Sequence, residues 1–182
     1  MLKKVIKRIE NPGPKSLIAV DSKFKDYIEK FESEINRGIS TLCVLQIIKN
    51  SGETGTYGYQ ILKDLKDETN NLLVIEEGTL YPLLRKLKDQ ELIGFQSLEV
   101  DGRLRKNYFI TENGRKVLNR MEGFYSILTE AISPLFDVNV KLMDRYLYCP
   151  DCANKIDLSD KGSNYCEVCG KNIEELKNRG MN

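Results

Sequence analysis

Between residues 80 and 110 the apolar period changes from about 3.6 to about 2, which restricts the folds open to this chain. Leu80, Leu83, Leu84 and Leu87 share one stripe of an ideal helical wheel, and such a stripe has to be buried. Tyr81, Pro82 and Arg85 lie opposite, a poor set for a core but a usable one for a groove. Pro82 is expected near the first turn, where a missing N–H costs little. Two alternating runs follow, Phe95 to Val100 and Leu104 to Ile110, separated by Asp101-Gly102, a strong hairpin turn signal. Leu104, Lys106, Tyr108 and Ile110 share one strand face, and Arg103, Arg105, Asn107 and Phe109 the other. The spacing predicts a helix feeding a hairpin with a basic tip.

The flanking segments complete an order of elements. Residues 1–10 carry Leu2, Val5, Ile6 and Ile9 at helical spacing among lysines, and read as a terminal helix or a basic arm. Asn11-Pro12-Gly13-Pro14 is a linker. From Ser22, a candidate cap, Phe24, Tyr27, Ile28, Phe31 and Ile35 form one helical face. Gly38 is a candidate joint before a second helix. Ile39, Leu42, Cys43, Leu45, Gln46 and Ile47 make that helix apolar on most sides, as a central core helix would be. A loop at Ser51–Gly55 leads to a short helix over Tyr57–Asp67, with Tyr59, Leu62 and Leu65 expected inward. Beyond the hairpin Thr111 is placed to cap a long helix with Val117, Leu118, Met121, Phe124, Tyr125 and Leu128 on one face. Pro134 should end or bend it, and a further helical piece should run toward Tyr146. Helices, a two-stranded hairpin, then a long helix is the order of a winged helix-turn-helix: an α+β fold, mainly α.

Composition narrows the function. The 182 residues allow one ordinary core domain and a small accessory. The formal net charge is only +1 with 30% of residues charged, so nucleic-acid contact would be local rather than histone-like. Histidine is absent, which removes every mechanism built on a Ser-His or Cys-His pair. No phosphate loop appears either, so an enzyme is not expected. No apolar run approaches a membrane span and the start lacks a signal-peptide core, which gives a cytoplasmic expectation with no membrane partner.

Chemistry concentrates in two places. Arg85 can fork onto guanine or a phosphate, whereas Lys86 and Lys88 are point charges. Thr79 and Tyr81 offer hydroxyls to phosphate oxygens. Arg103, Arg105 and Lys106 cluster at the hairpin turn, where no core partner would neutralise all three. Glu76 and Glu77 suit a helix start but repel phosphate, so contacts should begin at Thr79. The second place is C-terminal. Cys149-Pro150-Asp151-Cys152 and Cys166-Glu167-Val168-Cys169 are two Cys-x-x-Cys knuckles with 13 residues between them. Two knuckles complete a tetrahedral four-thiolate site with no open position, as in a zinc ribbon holding one structural Zn2+ per chain. Lys161-Gly162-Ser163-Asn164 would be the turn between them. Iron in a rubredoxin-like site needs the same thiolates but a longer span. Paired disulfides would suit a secreted protein, and a redox pair would need a thioredoxin-like context. Cys43 reads as a small buried hydrophobe. Mixed charges around the knuckles disfavour a strong phosphate-binding role for the ribbon.

Tyr57-Gly58-Tyr59-Gln60-Ile61, Glu77 through Leu87, Leu92-Ile93, Gly102 through Tyr108 and Thr111-Glu112-Asn113-Gly114 occur in one order and at one spacing. Over residues 36–120 they resemble the PadR family of prokaryotic transcriptional regulators. The resemblance implies a homodimeric repressor on double-stranded DNA, with Tyr57, Thr79, Tyr81, Pro82, Arg85, Lys86, Arg103, Arg105 and Lys106 as contacts. It implies a recognition helix in the major groove, a wing on the backbone or minor groove, and flanking helices building the dimer. It also implies a small-molecule effector near the dimer interface. A tryptophan-stacked pocket known in the family cannot carry over, because this chain has no Trp. Tyr125, Phe124 and Phe136 remain as pocket or core candidates. The expected divisions are an arm and linker over 1–21, the DNA-binding domain over 22–111, dimerisation helices over 112–146 and the ribbon over 147–182. Two alternatives stay open: an interaction module docking on transcription machinery, or a sensor whose metal or redox state gates DNA binding.

Overall fold

The computed structural model describes residues 22–140, 146–159 and 164–174, with the side chains of residues 22–25 and 28 outside that description. The expected N-terminal helix, the Pro-Gly linker, residues 161–163 of the expected turn, and the faces of Phe24 and Ile28 therefore lie outside it. Two compact units are present: residues up to Lys86 with Phe95–Phe109, and Leu87–Gly94 with the residues from Ile110 onward.

In the first unit α1 spans Ser22–Asn50 as one helix. The expected joint at Gly38 does not form. The residue is exposed with nothing within 4 Å of where a Cβ would stand, so it costs only its intrinsic helix penalty, about 1 kcal/mol. Val44, Leu45, Ile47 and Ile48 are buried and make this end of α1 the core element. Cys43 is half-buried, and burial raises its thiol pKa. A one-turn 3-10 helix (Gly52–Thr54) leads to a two-residue strand β1 (Thr56–Tyr57) and α2 (Gly58–Glu68). α2 buries Gly58, Ile61 and Leu65, three positions on one face. The expected inward face differs: Leu65 is buried and Leu62 half-buried, but Tyr59 is 50% exposed and Ile61 takes its place. The buried stripe of Gly58, Ile61 and Leu65 lies on the wheel beside the expected stripe of Tyr59, Leu62 and Leu65.

α3 spans Glu77–Asp89 and buries Leu80, Leu84 and Leu87, with Leu83 half-buried. Pro82 sits deeper in the helix than expected and cannot donate to the Gly78 carbonyl one turn back. Gly78 is exposed, so water can replace the lost donor. The hairpin is β2 (Ile93–Val100) and β3 (Arg103–Ile110), joined by Asp101 and Gly102 at φ of 52° and 71°. Positive φ at both central residues is the type I′ signature. The sheet has order β1-β3-β2, with Thr56 opposite Tyr108 and Tyr57 opposite Asn107. That third strand explains why Asn107 and Tyr108 are both buried although they point to opposite faces. Asn107 Nδ2 donates to the Thr54 carbonyl at 2.6 Å.

In the second unit Ile93, Ile110, Leu118 and Leu87 are buried. α4 spans Glu112–Ile132 and starts as expected: Thr111 Oγ1 accepts from the Gly114 N–H at 2.9 Å and donates to the Glu91 carbonyl at 2.7 Å. A 3-10 turn over Ser133–Phe136 follows, with Pro134 inside it. The expected helical piece beyond it differs: 138–140 are not helical, 141–145 lie outside the described residues, and Tyr146 opens a strand. β4 (Tyr146–Tyr148) pairs antiparallel with β5 (Lys155–Asp157). Cys149, Cys166 and Ile173 form a small core with Leu147, Cys152 and Ile156 packed on it.

Candidate nucleic-acid interface and cysteine site

Because one face of α3 is spent on the leucine core, Thr79, Tyr81, Pro82, Arg85 and Lys86 are left exposed on the other. Tyr81 borders a cleft of about 480 Å³ in the first unit, shared with Tyr57, Tyr59, Arg103, Arg105 and Lys106. Its walls are the start of α2, one side of α3 and strand β3. Tyr57 and Tyr59 stack with centroids 5.8 Å apart and planes 8° apart. The Arg105 guanidinium lies 5.6 Å from the Tyr59 ring centre, and Lys106 Nζ 4.7 Å from that of Phe95. Gly58 makes room here. A Cβ on it would stand 2.9 Å from Tyr81 Oη, so a larger residue would push the half-exposed phenol away from the start of α2. Burial, then the neighbouring Tyr81, pushes the Tyr108 phenol up and keeps it neutral.

Among the described residues, none of Arg85, Lys86, Arg103, Arg105 and Lys106 forms a salt bridge. By contrast Lys88 pairs with Asp89 and Lys116 with Glu112, both at 3.4 Å. In a chain of net charge +1, five unpaired cations on α3 and β3 are a local positive field.

At the C-terminal end the Sγ atoms of Cys149, Cys152, Cys166 and Cys169 all lie within 4.8 Å of one another. The pairs Cys149–Cys169 and Cys152–Cys166 stand 3.6 Å apart. Zn–S bonds near 2.3 Å in a tetrahedron would place sulfurs roughly 3.75 Å apart, so the four fit one ion. Disulfides, at about 2.05 Å, do not match these separations. Both knuckles are closed by backbone bonds: Ala153 N–H to the Cys149 carbonyl at 2.7 Å, and Gly170 N–H to the Cys166 carbonyl at 2.8 Å. Their thiols differ. Burial pushes Cys152 up to about 12 and also raises Cys149. Burial raises Cys166 too, but N–H bonds from Cys169 and Val168 and contacts with the Cys152 and Cys169 thiols outweigh it, leaving about 7. These four cysteines are positioned to bind a metal ion.

Residues 44–120 match the transcriptional regulator PadR-like family. An uncharacterised protein of Lysinibacillus sphaericus is 34% identical over 101 residues, 55% of this chain and 90% of the relative. The chain belongs to the PadR-like family of transcriptional regulators. A PadR family regulator from Eggerthella lenta is similar in structure, with a TM-score of 0.56 and 28% identity. That likeness covers 65% of this chain and 100% of the other. A transcriptional regulator from Clostridium thermocellum matches with a TM-score of 0.50 and 27% identity, over 56% and 96% of the two chains. The cysteine site lies outside the family match, which ends at residue 120.

On this PadR-like fold the nine residues expected to contact DNA lie on α3, on β3 or, for Tyr57, at the end of β1 just before α2. Tyr57, Tyr81, Arg103, Arg105 and Lys106 share the cleft; Thr79, Pro82, Arg85 and Lys86 stand on the exposed side of α3 outside its lining. Sequence reasoning missed Tyr59, which was assigned to the core, and Asn107, whose amide ties β3 to the loop before β1. The period of Gly58, Ile61 and Leu65 was the available signal for Tyr59. For Asn107 there was none, because a two-residue strand leaves no periodicity.

Proposed function

We propose that the chain is a homodimeric, sequence-specific DNA-binding regulator acting as a repressor, with a structural zinc ion in the four-cysteine site. The observation that carries the DNA reading is the set of unpaired cations on α3 and β3 with tyrosine hydroxyls among them. α3 enters a major groove, where Arg85 reads a guanine edge or holds a phosphate. Thr79, Tyr81, Lys86 and the start of α2 at Tyr57 position the helix on the backbone, and Pro82 packs against the groove wall. Arg103, Arg105 and Lys106 carry the hairpin along the neighbouring backbone as a wing.

Dimerisation has its own support. On α4, Val117, Phe124, Tyr125, Leu128 and Ile132 are exposed, and on α1 Tyr27, Phe31 and Ile35. Regular apolar faces left bare in one chain are faces for a second copy. Phe124, Tyr125 and Phe136 are all exposed rather than enclosing a cavity, so the dimer face is their first role and any effector would bind once a second copy covers them. Zinc is favoured by an all-thiolate, closed set. One zinc per chain by elemental analysis, falling in Cys169→Ser, tests that assignment. No helix of the described residues is long and apolar enough to cross a membrane.

Fluorescence anisotropy of the full chain on the duplex upstream of its own gene, against a scrambled duplex across a salt series, tests the main reading. Binding that prefers the native duplex near physiological salt, with two protomers per site, is expected. Equal, salt-fragile binding to both duplexes, persisting over other candidate operators, would overturn it in favour of an interaction module.

A further inference from the structure

Gly123 of α4 faces the first cysteine knuckle so closely that a Cβ on it would stand 1.8 Å from the Ala153 carbonyl oxygen and 2.9 Å from the Lys155 nitrogen. Both are backbone atoms, which cannot swing aside as a side-chain tip can. Ala153 directly follows Cys152 and belongs to the knuckle itself. It takes the left-handed φ of 56° and donates to the Cys149 carbonyl, while the Asn154 carbonyl accepts from Cys149 N–H at 2.9 Å. One residue before the notch, Glu122 accepts from Lys155 Nζ at 3.0 Å, with side-chain exposures of 13% and 24%. Lys155 Nζ also lies 4.2 Å from the Tyr146 ring centre. The knuckle is therefore seated on a helix by a glycine notch and by a largely desolvated ion pair.

We propose that Glu122 and Gly123 form a docking seat for the metal knuckle, so that metal capture by the four cysteines and the ordering of α4 are thermodynamically linked. This rests on the reading of the cysteines as a metal site, and not on the DNA reading. The physical chain is short. Four thiolates around one ion hold Cys149 to Cys152 in a single turn, and that turn fixes the carbonyl of Ala153. Without the ion that clamp is gone, and the turn is left to the Ala153–Cys149 and Cys149–Asn154 backbone bonds and an exposed Lys171–Asp151 pair. A loosened knuckle leaves Glu122 partly buried without its lysine and uncovers the backbone of α4 at Gly123. Linkage works both ways: whatever braces the knuckle against α4 tightens the metal, and the metal braces α4.

The seat also occupies a separate side of the helix. On an ideal wheel Gly123 lies roughly a third of a turn from the stripe of Val117, Phe124 and Leu128. That stripe is exposed, so the ribbon leaves it uncovered while bracing the helix that carries it. In the proposed dimer, metal occupancy would then set how well ordered the dimer helix is.

The experiment uses the full chain, zinc ions, and a competing chelator. Zinc affinity and hydrogen exchange of the α4 amides are measured for the native chain, Gly123→Ala and Lys155→Met. Zinc should slow exchange across Glu122 and the following turns in the native chain. Gly123→Ala should bind zinc roughly tenfold more weakly and show little zinc-dependent protection of α4. Alanine is the better helix former, so a glycine with a purely helical role would give the opposite sign. Lys155→Met should weaken zinc several-fold, and it keeps the proposal testable if the alanine variant does not fold. Tight zinc binding that leaves α4 exchange unchanged would overturn the linkage while leaving the metal site intact. Failure to bind zinc at all would overturn both.

Discussion

Arg105 offers the sharpest test of the nucleic-acid face, because its two plausible jobs respond differently to salt. It lies over Tyr59 at 5.6 Å, half-buried, and has no salt bridge among the described residues. If the guanidinium neutralises a DNA phosphate, each contact contributes about 0.9 to the slope of log affinity against log salt. A dimer carries two copies, so Arg105→Ala should reduce the slope by about 1.8. Raising salt fourfold, from about 50 to about 200 mM, changes the logarithm by about 0.6, so the affinity gap to the native chain should shrink roughly 12-fold over that range. If Arg105 only buttresses Tyr59 through cation–π packing, the loss is nearly independent of salt and the two lines run parallel. Anisotropy titrations at five or six salt concentrations separate the cases. Lys116→Ala, on a lysine already paired with Glu112, is the control and should leave the slope in place. A slope for Arg105→Ala within about 0.5 of the native value would refute the phosphate assignment, whatever happened to affinity.

Leu84→Ala, at a side chain 1% exposed in the centre of the α3 stripe, should cost about 2–5 kcal/mol and lower Tm by several degrees in a thermal melt. Thr111→Ala should cost about 1 kcal/mol by removing the α4 cap and its bond to Glu91, with operator affinity unchanged once the protein is folded. Apparent zinc affinity should rise with pH, since an ion must displace the protons that burial holds on Cys152 and Cys149. Below pH 7, where Cys166 is also protonated, the plot of log affinity against pH should steepen by about one proton in a chelator competition. A straight plot through neutrality would show that Cys166 is not poised there.

Long periodic segments were legible in advance. The leucine stripe of α3, the Asp-Gly hairpin, the Thr111 cap and the paired Cys-x-x-Cys knuckles each have a local cause, and each stands where the sequence places it. The misses also have causes. Gly38 is a helix penalty of about 1 kcal/mol, too small to break a 29-residue helix carried by its neighbours. The inward face of α2 lies beside the one expected, because Tyr59 stacks on Tyr57 at the cleft while Gly58 and Ile61 face the core. A strand of two residues has no period to read, and its pairing is what buries Asn107. The sequence places Pro82 near the first turn of α3; an exposed glycine at the start of the helix lets it sit further in.

The seat on α4 belongs to a different category, since no pattern in the sequence pairs Gly123 with Ala153. Glycine within an amphipathic helix reads as a penalty until the backbone that approaches it is known. Here the approaching backbone is part of the metal knuckle, and Lys155, which looks like one solvated cation among many, is drawn in to Glu122 beside it. The positive charges of this chain therefore divide by partner. Arg85, Lys86, Arg103, Arg105 and Lys106 have no carboxylate among the described residues and are free to meet an external anion, whereas Lys155 has an internal one and serves the fold. The clustering of such cations with Tyr57, Tyr59 and Tyr81, more than the net charge of +1, is what makes the α3–β3 face the candidate for DNA, and the Glu122–Lys155 pair is what makes the cysteine site a candidate for bracing a helix. A substitution that swapped the roles, Glu122→Lys, should release the ribbon and place an unneutralised cation on α4 without adding affinity for DNA. If it did add affinity, charge alone and not its placement on α3 and β3 would be directing the contact.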